Sequence, residues 1–496
     1  MTELNPRLPV LIGVGQLSNR VDQGADPLEP AALMAQALHV AARDTGVDGV
    51  LDGADSIRVI NELSWRYRNP GVAVADRLAI SPRESLYTVM GGNYVQTLVN
   101  RTALDIVEGR NDLVLLTGGE AWRTRSDARK TETDLGWSSQ SDEVAPAMSF
   151  GDDENLVGPA ELALGIVMPV QVYPMFDVAL RAADGISIDE HRDRVAALWA
   201  AFSQVAADNP HAWIRTPMTA DAIREATPDN RMIGFPYTKV LNSNNMVDQG
   251  AGLIMCSAER AAALGVPRDR WVFVHAGADA HDHWFVSNRD ELHRSPAMRI
   301  AGGEALALAG VGIDDLAHVD LYSCFPSAVQ IAARELGLGL DRQLTVTGGM
   351  SFAGGPWNNY VMHGIATMAD VLRHDAGSVG LCTANGGYTT KHAFGVYGTE
   401  PPTSGTYRWA DVQDRVDALP SRPVHTDYAG DATVETYTVM YGREGRPEQG
   451  LFALRTPDGG RAWGVTGDAD TMQAMVDAEQ VGASARRSAD GATELA

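Results

Sequence analysis

A chain of 496 residues is long enough for two to four domains and a large apolar core that needs no covalent staples. Its net charge of −24, from 40 basic and 64 acidic side chains, repels nucleic acid and anionic lipid, so neither is expected as a partner. Three cysteines that cannot all pair, a Met1–Arg7 start of charges and prolines, and no apolar run near ~20 residues point to a cytoplasmic chain without targeting or membrane-spanning segments.

The first stretch alternates strands and helices. Pro9 to Gln16, an apolar run broken by glycines, predicts a buried strand, and alanine-rich Pro30 to Thr45 a helix. Ser56 to Ile60 and Tyr87 to Met90 predict short strands. Gln96 to Glu108 reads as a helix ended by Gly109, and Leu113 to Thr117 as a strand running into Gly118-Gly119. This alternation predicts a covered, parallel sheet. From Ala121 to about Lys239 the rhythm breaks, with a helical run from Asp189 to Ala207 among loops rich in proline and aspartate. That predicts an insertion on the first unit, of the kind that carries binding functions.

The same order then recurs. Trp271 to His275 predicts a strand, Ala297 to Ala309 a helix, Val319 to Tyr322 a strand, Ala328 to Leu336 and Val361 to Arg373 helices, and Val379 to Thr383 a strand entering Ala384-Asn385-Gly386-Gly387. Thr45-Gly46-Val47 echoes Ala309-Gly310-Val311, and Asp55 echoes Asp320, at an offset of roughly 265 residues. We read two copies of one α/β unit. Beyond Pro401-Pro402, strands at Val434–Tyr441, Gly450–Arg455 and Ala462–Thr466 and a helix at Asp470–Glu479 predict a small β-rich appendage, with Ser484 to Ala496 a disordered tail. The expected units are residues 1–120, 121–239, 240–400 and 405–496.

Two α/β copies with a long insertion in the first resemble the thiolase fold. Gln96 to Gly109 with Leu113 to Glu120 resembles the helix and strand that follow the thiolase nucleophile. Gly185 to Ser203 is similar to its loop region, and Asn242 to Ala251 with Ala258 to Gly265 to the segment closing the first half. Gly310 to Phe325, Gly348 to Pro356 and Val379 to Gly387 resemble the last three active-site regions. The resemblance spans residues 8–398 and is nearest to the divergent thiolase-like proteins of type 1, which carry an extra C-terminal domain and are commonly labelled acetyl-CoA acetyltransferases. It implies two similar halves layered αβαβα, and chemistry on acyl-CoA in lipid metabolism. CoA or acyl-CoA would be a ligand, with no tightly bound cofactor.

Carried over position by position, that chemistry thins out. A thiolase needs a thiolate at a helix N-terminus, where the dipole lowers its pKa; the matching position is Gly92, in Met90-Gly91-Gly92-Asn93. The activating histidine of a Gly-His-Pro turn is replaced in Gly354-Gly355-Pro356. In Tyr322-Ser323-Cys324-Phe325, Tyr322 takes the place of the asparagine that positions an oxyanion-site water. Cys382-Thr383-Ala384 keeps the cysteine that moves a proton and loses the following glycine.

The candidate catalytic residues are therefore Cys382, Tyr322, Cys324 and His363, with His392 as a further histidine. Each also has a packing role open to it, as a small core thiol, a pocket cap or a helix histidine. For CoA, the resemblance points to Arg123, Arg125, Arg129 and Lys130, the densest basic run, which suits phosphates but could equally balance nearby acids. Asn245, Gly354 and Gly355 match pantetheine-contacting segments. No dinucleotide fingerprint or metal-ligand spacing stands out: Gly13-Val14-Gly15 lacks the third glycine. Three readings remain: an acyl-CoA enzyme with altered chemistry, such as an aldol lyase on CoA thioesters; a CoA or acyl-CoA binder without catalysis, or an interaction protein; or an ordinary acetyl-CoA acetyltransferase. The C-terminal domain is a candidate surface for a protein partner.

Overall fold

The computed structural model describes residues 4–496; the first three residues of the Met1–Arg7 segment read for targeting lie outside them. In the first half, β1 (Pro9–Ser18), β2 (Ser56–Val59), β3 (Glu84–Thr88) and β4 (Leu113–Ala121) form where apolar and β-branched runs predict them, with a short edge strand β5 (Met148–Phe150) beside β3. Within the insertion, β6 (Met232–Gly234) pairs with β7 (Tyr237–Thr238), and β8 (Asp248–Ser257) returns to the main sheet. The second half supplies β9 (Val272–His281), β10 (Leu316–Asp320), β11 (Val379–Gly386) and β12 (Lys391–Gly398), and β13 (Arg408–Asp411) adds alongside β9.

The main sheet runs β10-β11-β12-β9-β1-β8-β4-β2-β3-β5. Read outward from its centre, β1-β8-β4-β2 and β9-β12-β11-β10 are the same order of equivalent strands. The halves join where Val10 pairs with Phe273 and Leu11 with Val272. The sheet is mixed rather than parallel, because β8 runs antiparallel to β1 and β4, and β12 antiparallel to β9 and β11. Both strands are glycine-rich, which hid them in the sequence. The glycines are there for packing: a Cβ on Gly250 would lie 3.0 Å from the backbone of Leu33, in the helix Pro30–Asp44, and one on Gly395 only 2.2 Å from Gln96.

Helices Tyr94–Val107 and Tyr360–His374 lie in the centre, each packed against strands of both halves. Val95, Leu98, Val99, Ala103 and Ile106 of the first are buried at helical spacing. Helices Pro30–Asp44 and Pro296–Ala309 cover the outer faces of the two halves, completing the αβαβα layering. The insertion contains two long helices, Pro169–Asp184 and Ile188–Asp208. The first reads as loop because Pro174 stands inside it; burial of Tyr173, Met175, Phe176 and Leu180 outweighs the lost backbone donor.

The C-terminal sheet is β16-β15-β14-β17-β18, where β14 is Gly430–Tyr441, β15 Pro447–Arg455, β16 Arg461–Thr466, β17 Ser484–Arg487 and β18 Thr493–Leu495. The segment predicted as a disordered tail thus forms two strands. Its anchor is Arg487, buried and donating to the carbonyls of Trp463 at 2.6 Å and Thr426 at 2.9 Å. β6 of the insertion pairs with β14 through Gly234 and Met440, so the appendage grows out of the body.

Candidate active site

The loop from β3 to the helix Tyr94–Val107 makes its turn at Gly91-Gly92, and Asn358 receives the Gly91 N–H at 3.1 Å. A Cβ on Gly92 would lie 2.4 Å from the Tyr322 hydroxyl oxygen and 2.5 Å from the Asn385 carbonyl oxygen. Real Cβ atoms do not approach that closely. The space that a nucleophile at this position would use is held by the phenol of Tyr322. Tyr322 is fixed by its own N–H donating to the Thr383 hydroxyl at 2.9 Å and by an edge contact with Tyr360 at 5.7 Å. Burial, with Cys324 and Tyr360 nearby, pushes its pKa well above the ordinary value, so it stands as a proton donor.

The Gly-Gly-Pro turn is filled in the same way. A Cβ on Gly355 would meet Asn245 Oδ1 at 2.9 Å and the Asn244 carbonyl oxygen at 3.4 Å. Gly354 has φ +110° and lies against Gln249, whose Oε1 would be 2.2 Å from an added Cβ. Asn245, Gly354 and Gly355 are thus brought together, with the Asn245 amide seated where a side chain at 355 would stand.

The retained thiols are buried. Cys324, at the end of the Tyr322 turn, receives the Asn385 amide on its sulfur at 3.9 Å, and the same amide donates to the Tyr173 hydroxyl at 3.1 Å. Burial pushes the Cys324 thiol up to about 12. Cys382 pairs with Asp320 on β10 and Gly395 on β12 and is 1% exposed. Burial, then the field of Asp320, raises its thiol well above the usual value, which suits a proton held rather than a thiolate formed.

His363 is buried on the central helix Tyr360–His374, with Nδ1 against Gln16 Oε1 at 3.0 Å. Burial lowers its pKa to about 3, so its imidazole is neutral. His392 lies elsewhere, sealed between Asp282 and Ser295 with both contacts at 3.3 Å.

The basic run is a helix, Trp122–Thr131, rather than a loop. Trp122 packs on Trp357 at 5.1 Å, which sets the helix start beside the Gly-Gly-Pro turn. Arg125 donates to the carbonyls of Leu63 and Ser64 at 2.9 and 2.6 Å, and Lys130 pairs with Asp127. Arg123 is half-buried, where its backbone meets Val247, and Arg129 is exposed. The cluster therefore divides: Arg125 is structural, while Arg129 faces solvent.

Sequence reasoning missed Asn385, Gln249, Asn358 and Lys391. Gln249 and Asn385 lie inside segments matched to the thiolase without being singled out there, whereas Asn358 and Lys391 come from the second half of the chain, far from Gly92, and no local motif marks them. Lys391 is 5% exposed, donates to the Met90 carbonyl at 2.9 Å, and lies over the Tyr94 ring.

Residues 411–492 match the family model described as the thiolase-like protein type 1 additional C-terminal domain. The whole chain is similar to the crystal structure of a monomeric SCP2-thiolase-like protein type 1 from Mycobacterium smegmatis, with 31% identity, all of both chains covered and a TM-score of 0.84. An Ltp2–ChsH2(DUF35) aldolase matches 80% of this chain and 99% of its own, at 19% identity and a TM-score of 0.60. An acetyl-CoA acetyltransferase from Syntrophomonas wolfei matches 80% and 100%, at 16% identity and 0.55. The latter two share the fold. Identity of 31% along the full length of both chains places this chain among the SCP2-thiolase-like proteins of type 1, with a thiolase fold and an additional C-terminal domain.

Proposed function

We propose that the chain binds CoA thioesters where its two halves meet, around Gly92, Tyr322 and Gly355, and does not form an acyl-cysteine there. The observation that carries this reading is the Tyr322 hydroxyl seated where a side chain at residue 92 would stand. With Gly355 also filled by Asn245 and both nearby thiols held protonated by burial, no thiolate is available to attack a thioester. The Tyr322 phenol, kept protonated by burial, is a donor suited to a carbonyl oxygen. Calorimetric titration with CoA and acetyl-CoA tests the binding. A ligand at 100 times its dissociation constant adds about 2.7 kcal/mol to stability, readable as a thermal shift. Arg123→Ala with Arg129→Ala is expected to weaken binding and flatten its salt dependence. Thiolysis of acetoacetyl-CoA is expected to be negligible; turnover on the order of 1 per second or faster, in the ordinary enzyme range, overturns this reading.

A second reading, aldol cleavage of a β-hydroxyacyl thioester, is favoured by the same phenol. That reaction needs a proton donor and acceptor but no acyl-cysteine. Release of an aldehyde or ketone from a β-hydroxyacyl-CoA separates it from binding alone.

A further inference from the structure

Arginine supplies nearly all of the basic charge in this chain: of 40 basic side chains, three are lysines, Lys130, Lys239 and Lys391. Lys130 and Lys239 are exposed, whereas Lys391 is 5% exposed. A purely structural cation is as well served by arginine, which cannot give up its proton in a protein. Lysine can, and then carries a lone pair.

Geometry places that amine at the altered centre. Lys391 opens β12, paired with Gly386 on β11 and His281 on β9. Its Nζ crosses the Tyr94 ring, 4.6 Å from the centroid, and would lie 2.8 Å from a Cβ on Gly91. It therefore rests against the Gly91-Gly92 turn, the next residue of which faces the Tyr322 hydroxyl. Its one hydrogen bond goes to the Met90 carbonyl, and among the described residues it has no ion-pair partner. The charges that act on it are Asp152 and Asp153, on the exposed segment after β5. Burial lowers the lysine pKa to about 8 against the opposing pull of those two carboxylates, so a substantial share of the amine is neutral near physiological pH.

We propose that Lys391 is a nucleophilic amine beside the Gly91-Gly92 turn and condenses with the ketone carbonyl of a β-oxoacyl ligand. The nitrogen lone pair adds to the carbonyl carbon to give a carbinolamine. Both amine hydrogens then leave with the carbonyl oxygen as water, and a C=N bond remains; no oxidant or reductant is consumed. The proposal rests on reading this centre as an acyl-ligand site, but the amine's own reactivity is separable from CoA binding.

The test incubates the full-length protein with acetoacetate, and in parallel with acetoacetyl-CoA, in the presence of cyanoborohydride, which fixes an imine as a secondary amine. Peptide mass mapping then reads all three lysines. The expected result is an adduct on Lys391 in at least one incubation, in at least tenfold excess over Lys130 and Lys239, rising with pH about a midpoint near 8, and lost in Lys391→Arg. Labelling spread evenly over the three lysines, or none on Lys391, overturns the proposal, including where calorimetry shows that CoA binds. An acetoacetate adduct on Lys391 in a protein that does not bind CoA upholds the amine and overturns the CoA reading instead.

Discussion

A cysteine returned to position 92 meets the Tyr322 hydroxyl before it meets any substrate. Gly92→Cys is therefore expected to destabilise the protein by about 1–3 kcal/mol, the usual range for overpacking, and to remain inactive in thiolysis. Gly92→Cys combined with Tyr322→Ala removes one of the two clashes, leaves the Asn385 carbonyl oxygen against the new Cβ and empties the space of the phenol, so its melting temperature should recover only in part. A Gly92→Cys protein that melts like wild type would show that Tyr322 yields freely. A second residue-scale test concerns Glu62, 4% exposed, with neither carboxylate oxygen hydrogen-bonded. Burial, then the neighbouring charge of Glu120, raises its pKa well above 4.5, and burial raises that of Glu120 to about 7. The folded state thus keeps protons that the unfolded chain releases above pH 4.5. Their contribution to stability is full below that pH and is lost as pH rises through the folded values, by about 1.4 kcal/mol per pH unit for each proton. Glu62→Gln should flatten that fall, with little change near pH 4.5 and a higher melting temperature above pH 7. Denaturant curves at several pH values read it, and a variant less stable at pH 8 refutes the protonated state.

Among the elements, β17 and β18 show what composition conceals. Ser484 to Ala496 is rich in alanine and charge, yet Ala485 is buried against the C-terminal core and Arg487 is held by carbonyls on three sides. Deleting residues 484–496 strips the pairing from Gly430–Thr433 of β14 and leaves the carbonyls that Arg487 serves unsatisfied. We expect a loss of about 3 kcal/mol or more, at roughly 1 kcal/mol per hydrogen bond, measured by guanidinium unfolding. An unchanged midpoint would mean that the two strands are not docked in solution. The basic helix Trp122–Thr131 gives the converse lesson: a run that reads as a single charged patch splits into a packed arginine and an exposed one once the helix has a buried side.

Across the molecule, the C-terminal domain is joined to the body by polar groups that are almost fully buried. Arg461, 0% exposed, binds Glu435 with both ends of its guanidinium and donates to the carbonyls of Val286 and Ser287 at 3.1 and 2.8 Å. Thr436 and Thr438 reach the carbonyls of Met175 and Phe235, and Trp463 donates to Ser287 at 2.7 Å. Arg461→Ala removes one partner of a buried pair, a change that costs about 3–5 kcal/mol; Arg455, also on Glu435, moderates it toward the lower end. Because the same arginine ties the domain to the body, wild type should unfold in one calorimetric transition, and Arg461→Ala should separate it into two or lower it as a whole. Two transitions already present in wild type would contradict this coupling.

Residue identity along the chain was enough for the two-copy plan, because apolar periodicity and the repeated order of elements are local signals, and each half must bury the same faces. The same local reading finds glycine at 92 and at 355, where the thiolase resemblance implies a thiol and a histidine, since comparison within a turn needs no coordinates. What fills the vacated space was not legible. Tyr322 meets Gly92, Asn245 meets Gly355 and Lys391 meets Gly91 only because the sheet brings the two halves into one core. The glycine-rich strands β8 and β12 escaped notice for the same reason: their glycines answer to helices packed on them from distant segments, and a side chain's neighbours across a sheet are set by register, which sequence spacing does not record.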